Sequence, residues 1–166
     1  MKSDRLVERR RHPWKGLLAG AAGGIVASFA MGQFHGLFQN AETSSSQDKE
    51  DSTVKAASAI SQGIFRHGLT PEQKKIAGPA VHYAFGASMA ALYGAAVELA
   101  PVLHTGYGMA FGATVWLGAH VITVPALGLS EPITRSTPAS EGAEFGAHMV
   151  YGVVTEAVRR LIRARR

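Results

Sequence analysis

The 166-residue chain suffices for one compact domain, yet only 17% of it is charged, against about 25% in an ordinary soluble domain. It has no cysteine, which excludes disulfides, thiolate catalysis, iron–sulfur clusters and cysteine-type zinc sites. A net charge of +5 and a pI near 9.8 would fit nucleic acid, but six of the 17 Lys and Arg residues lie in positions 1–15 and five in 159–166. Both clusters flank apolar segments, the positive-inside pattern of a membrane protein, so nucleic acid is not expected as a partner.

Residues 1–15 read as a basic cytoplasmic tail with Trp14 at the membrane interface. Transmembrane helix 1 is predicted over 16–38, because no Asp, Glu, Lys or Arg falls between Lys15 and Glu42. Small residues recur there at every fourth position: Gly16, Gly20, Gly24, Ser28, Gly32 and Gly36. In water each helical glycine would cost roughly 1 kcal/mol relative to alanine. In lipid such a stripe lets two backbones approach, and its drift of about 40° per step suits a right-handed crossing. The reading is a glycine-zipper helix-packing face. A basic start, an apolar run and Ser28-Phe29-Ala30 also imitate a signal peptide, but further apolar spans follow, so a retained span is expected.

Residues 39–75 read as a polar extramembrane insert on the outer side, with Ser44-Ser45-Ser46 and balanced charges. Within it Val54, Ala57, Ile60, Ile64 and Phe65 fall near helical spacing and predict a short amphipathic helix, on the interface, capping the bundle, or as a solvated loop helix. Thr70-Pro71-Glu72-Gln73 is a capping-box start for helix 2, which ends before Pro101. The short link 101–105 makes helix 3, about 106–127, an antiparallel neighbour. Thr137-Pro138 starts helix 4, which runs to about Ile162. Residues 76–166 thus hold helices 2–4 and a basic C-terminal tail, and four spans put both termini in the cytoplasm. The predicted fold is all-α, a four-helix transmembrane bundle with one polar insert.

A weak internal symmetry accompanies this order. Gly16-x-x-x-Gly20 is echoed by Gly108-x-x-x-Gly112, both helix-packing candidates, and Tyr93-Gly94-x-x-x-Glu98 by Tyr151-Gly152-x-x-x-Glu156. A duplicated helix hairpin, with parallel repeats, accounts for it.

Ionisable groups at membrane depth are costly and therefore informative. They are His35, His82, Glu98, His120, Glu144, His148 and Glu156. The topology places His82, His120, Glu144 and His148 toward the outer ends, and Glu98 and Glu156 toward the inner ends. Three readings stand. They are structural, capping carbonyls and pairing with Arg159 or Arg160. They are proton-responsive, since His titrates near neutrality and burial shifts carboxylates. Or His82, His120 and His148 with Glu144 bind a metal or haem, which no HExxH, EF-hand or CxxCH spacing supports. No metal or other cofactor is therefore expected. Walker A, GxSxG and GxGxxG motifs are absent as well, so no catalytic residue and no enzyme activity are expected.

From helix 3 onward the residues resemble a family. They are Gly108-Met109-Ala110-Phe111-Gly112-Ala113, His120-Val121-Ile122-Thr123-Val124-Pro125-Ala126-Leu127-Gly128-Leu129, Pro132, Glu144-Phe145-Gly146-Ala147-His148, and Glu156-Ala157-Val158-Arg159-Arg160. Helix 2 is similar more loosely, at His82, Phe85, Tyr93, Glu98 and Pro101. The pattern resembles the YagU-like small bacterial inner-membrane proteins, a domain of unknown function; residues 39–70 show no clear match. That resemblance implies a multi-pass protein of the bacterial inner membrane, with a link to acid resistance in at least one member and no established activity. Two functions are expected from these features. One is a proton-responsive envelope protein using His82, Glu98, His120, Glu144, His148 and Glu156. The other is an accessory or scaffold subunit docked to a larger membrane complex, or to copies of itself, through the glycine stripe.

Overall fold

The computed structural model describes residues 12–39 and 52–164. Most of the basic tail, the last two residues, and 40–51 of the insert, including Ser44-Ser45-Ser46, lie outside the described residues. The elements are α1 Pro13–Gln39, α2 Ser52–Ile60, α3 Pro71–Leu99, α4 Met109–Val115, α5 Val124–Ala126 and α6 Pro138–Ala164, with no strand among the described residues. A π-helical turn, Ser61–Phe65, continues α2, and another, Trp116–Thr123, joins α4 to α5 into one rod. Three stretches are long and apolar enough to cross a membrane: Pro13–Leu37, Pro71–Leu99 and Met109–Ala126. The expected fourth span, α6, does not meet that measure. It carries Glu141, Glu144, Glu156, Arg159, Arg160 and Arg163 along one long helix.

The ends of these helices follow their caps. Thr70 Oγ1 accepts from Gln73 N at 3.3 Å and Gln73 Oε1 accepts from Thr70 N at 2.9 Å, closing the capping box with Pro71 in the first turn. Thr137 Oγ1 likewise accepts from Ser140 N at 3.2 Å at the start of α6. The π segment was not foreseen from the sequence. It precedes Pro125, which has no N–H to give, and Thr123 Oγ1 donates to Gly118 O five residues back at 2.6 Å.

Packing is built on small residues. α1 lies antiparallel between α3 and α6. Toward α3 it turns Gly16, Gly20, Gly24 and Ser28, and a Cβ on any of these three glycines would collide with the backbone carbonyls of Gly94, Ala90 or Gly86. Toward α6 it turns a second face, Ala19, Gly23 and Ala27, with Gly23 against the Thr155 backbone. Gly32 and Gly36 have no described atom within 4 Å of where a Cβ would stand. The predicted stripe is therefore a seam at its first four positions and stands clear of described neighbours at Gly32 and Gly36. Gly108 and Gly112 press on Gly152 and His148 of α6, and Gly108 also needs a left-handed φ of 83°.

The two small-residue pairs thus share one geometry: Gly16-x-x-x-Gly20 meets Tyr93-Gly94, and Gly108-x-x-x-Gly112 meets Tyr151-Gly152. Between them sits a core of Ala27, Met31, Ala90, Ala147 and Tyr151, flanked by Phe34, Phe111, Val115 and Val154. Tyr151 Oη donates to Gly86 O at 2.5 Å and ties α6 to α3. Large apolar side chains such as Leu18, Ile25, Phe29 and Ile122 point outward, the arrangement expected of helices that face lipid.

α4 does not pack closely along α3, although the link is short. Tyr93 and Phe111 stack at 4.3 Å near the link, and beyond them the helices are separated by a cleft. Bulky side chains such as Phe85 and Met89 line α3 on that side, where the close seams use glycine. α2 packs on the start of α3, with Val54 against Gly78, so it is a packed helix rather than a solvated one.

Candidate functional site

The ionisable residues gather at two ends of the bundle. At one end α1, the π segment and α6 converge. His35 Nε2 lies 3.3 Å from Glu144 Oε2. His120 Nε2 lies 3.2 Å from Glu141 Oε2, and its Nδ1 is 4.0 Å from Glu144 Oε2. His148 Nδ1 donates to the Glu144 carbonyl oxygen at 2.8 Å, and its ring centroid is 6.0 Å from that of His120. Trp116 lies over His120 at 6.5 Å, closing one side of the group. His35, Glu144, His120 and Glu141 thus form an unbroken chain of polar contacts across three elements.

Local structure explains the convergence. Residues 141, 144 and 148 fall at helical spacings of three and four, so all three face the same way from α6. The π turn re-registers the α4–α5 rod over Trp116–Thr123, and His120 is in the middle of it. His35 is two turns beyond Ser28 on α1, where α1 still runs beside α6 and Phe34 touches Gly146.

The other end is an ion-pair clasp. Glu156 has no exposed surface. It accepts from Arg159 Nε at 2.7 Å, Arg159 Nη2 at 2.8 Å, Arg160 Nε at 2.5 Å and Tyr93 Oη at 3.0 Å. Glu98 takes a two-pronged pair from Arg163, at 2.7 and 2.9 Å, with Arg159 Nη1 at 3.9 Å. Arg160 also stands over the Tyr107 ring at 4.2 Å. Every carboxylate here is matched by guanidinium, the arrangement that holds α3 to α6.

The six residues singled out from sequence therefore separate. His120, Glu144 and His148 come together at one end, and Glu98 and Glu156 at the other. His82 belongs to neither contact network: its Nε2 lies 3.4 Å from Ser28 O and its ring sits edge-on to Tyr83. Glu141 and Arg163 were missed. Both were legible by spacing, since Glu141 precedes Glu144 by three residues and Arg163 follows Arg159 by four. Among the described residues, no three His, Asp or Glu side chains are placed to hold a metal ion.

Comparison with known proteins adds the family and nothing finer. No curated protein and no solved structure matches the chain. One family model, described as a protein of unknown function (DUF1440), matches residues 65–157, which contain α3, the α4–α5 rod and most of α6. That match covers more than half of the sequence and takes in His120, Glu141, Glu144, His148 and Glu156, so the chain belongs to the DUF1440 family.

Proposed function

We propose that this is a proton-responsive multi-pass protein of the bacterial inner membrane, a YagU-like member of its family. The observation that carries it is the contact chain His35–Glu144–His120–Glu141, which joins α1, the π segment and α6. Imidazoles change charge between about pH 5 and 8, and each one here has a carboxylate or another imidazole as neighbour. Gaining a proton at His120 tightens its pairs with Glu141 and Glu144. Losing one loosens only the tie between the π segment and the start of α6, while the glycine seams and the Glu98–Arg163 pair stay in place. The groups facing the cluster are His35 from α1, His120 from the π segment, and Glu141, Glu144 and His148 from α6. Acid resistance, the role implied by the YagU-like resemblance, is the physiological use such a device would serve.

In this reading α6 is the fourth crossing. It runs beside α1 from Phe34 against Gly146 to Gly23 against Thr155, with its charges paired or inward, and both termini are then cytoplasmic. The accessory-subunit alternative rests on less surface than the sequence offered. Gly16, Gly20, Gly24 and Ser28 serve the internal seam, which leaves Gly32 and Gly36 for an outside partner.

The test uses Trp116 as a reporter in a Trp14→Phe background, with the protein in dodecyl maltoside. Protonated imidazole beside an indole quenches its emission. Emission should fall as pH drops from about 8 to about 5, with the midpoint moved by Glu141→Gln and the transition abolished by His120→Gln. A flat profile, or one indifferent to both substitutions, removes the proposal. Acid survival of cells carrying Glu144→Gln in place of the native chain then reports on the physiological role.

A further inference from the structure

At the clasp end the charges do not cancel. Glu156 takes Arg159 and Arg160, and Glu98 takes Arg163, so both carboxylates are spent on the arginines. Lys15 is left over. Its Nζ stands 5.5 Å from the Trp14 ring and makes no ion pair among the described residues. Arg163 gives Nε and Nη2 to Glu98, and its Nη1 makes no hydrogen bond among the described residues. These two cations meet. α1 and α6 close on small residues, Ala19 and Gly23, and toward Arg163 the seam opens into a notch walled by Lys15, Leu18, Ala19, Ala22, Ile162 and Arg163. No acid is among those six.

The notch has a charged rim and an apolar floor. Lys15 and Arg163 form the rim, where the charge-free run of α1 begins. From Lys15 to Ala22 the floor descends seven residues of α1, roughly 10 Å at 1.5 Å per residue, past Leu18, with Ile162 of α6 opposite. A soluble anion would use the rim alone, whereas a lipid uses both parts, its phosphate on the cations and its first methylenes on the floor. A basic side chain at the start of a spanning helix stands at the level of the head groups. We infer that this notch binds one anionic phospholipid from the leaflet at the clasp end. Lys15 Nζ and Arg163 Nη1 donate to its phosphate, and Leu18, Ala22 and Ile162 support the top of an acyl chain. Glu98, by holding the other two nitrogens it contacts, leaves Nη1 as the one Arg163 gives to the lipid. The inference rests on the membrane reading of the apolar helices and not on the histidine–carboxylate cluster, so the Trp116 titration can fail without affecting it.

The delipidated full chain in dodecyl maltoside is titrated with palmitoyl-oleoyl phosphatidylglycerol and read by native mass spectrometry. One lipid per chain is expected to bind ahead of weaker, general uptake. Lys15→Gln should weaken that first step about fivefold, the worth of one basic side chain at an anionic surface. Ala22→Leu fills the floor at unchanged charge and should weaken it too. Lys75→Gln, the same charge step at the exposed start of α3, should leave it unchanged. Phosphatidylcholine, whose phosphate is balanced by its own choline, should bind less well, and millimolar inorganic phosphate should not displace the phosphatidylglycerol. Undiminished binding to Lys15→Gln or Ala22→Leu, equal losses in Lys15→Gln and Lys75→Gln, equal binding of phosphatidylcholine, or displacement by inorganic phosphate each overturns the inference. Should a notch variant not fold, phosphatidylglycerol with a diazirine near the top of one acyl chain, in vesicles, reports on the wild-type chain. Crosslinks concentrated on Leu18, Ala22 and Ile162 uphold the site, and crosslinks spread evenly over outward-facing side chains overturn it.

Discussion

Replacing Glu156 by alanine removes the centre of the ion-pair clasp and should be the most damaging single change at that end of the bundle. The carboxylate is fully buried and takes four hydrogen bonds, from Arg159 twice, Arg160 and Tyr93. Removing one partner of a buried pair costs about 3–5 kcal/mol, mostly by stranding the other charge. Arg159 is 7% exposed, but it keeps Glu98 at 3.9 Å, which moves the expectation to the lower end. About 3 kcal/mol corresponds to a roughly 100-fold fall in the folded-to-unfolded ratio. Glu98→Ala should cost less, about 1 kcal/mol, because Arg163 stays 22% exposed and can turn to water. Unfolding in mixed dodecyl maltoside and dodecyl sulfate micelles, followed by circular dichroism, measures both. A Glu156→Ala loss below that of Glu98→Ala would refute the assignment of Glu156 as the buried anchor. Adding Arg159→Leu to Glu156→Leu should recover part of the loss, since no stranded charge remains at Arg159.

Three further outcomes follow from the packing. Gly20→Leu places a side chain into the Ala90 carbonyl and should cost about 2–3 kcal/mol, whereas Gly32→Leu should stay within about 0.5 kcal/mol; the same micelle titration compares them. Tyr151→Phe removes the hydroxyl that bridges α6 to Gly86 O and should cost about 1–3 kcal/mol, with faster hydrogen exchange in α3 around Ala90. Thr70→Ala opens the capping box and should cost about 1 kcal/mol, seen as fraying of the first turn of α3 by exchange at Gln73 N.

Helices were legible because their signals are local. The charge gap after Lys15, the Thr70-Pro71-Glu72-Gln73 cap and the Thr137-Pro138 pair each act within a few residues. Two elements begin where those signals predict, at Pro71 and Pro138, whereas α1 begins at Pro13, three residues before the predicted start at Gly16. The YGxxxE repeat was also visible, and both copies press their glycine on a GxxxG partner. Less legible was α6, whose charges fall on one face and lower its hydropathy below that of a spanning helix. Glu141 was overlooked for a related reason: near a helix start an acid reads as a dipole complement rather than as a partner for a distant histidine.

Sequence alone determined the helical class, the apolar character of three helices, and part of the set of small residues at which backbones touch, Gly16, Gly20, Gly24, Ser28, Gly108 and Gly112. Those properties depend on charge, side-chain volume and hydrogen bonding within one turn. Only the tertiary structure decided which groups meet. Helix rotation assigns Gly20 to α3 and Gly23 to α6, although the two are three residues apart on α1. Beyond Ser28 the same stripe stands clear of every described neighbour at Gly32 and Gly36. The π register carries His120 to Glu141 and Glu144, while His82 meets a backbone carbonyl instead. A helix presents all its faces in sequence, and packing against particular neighbours selects which one becomes a seam, a clasp or a histidine–carboxylate cluster.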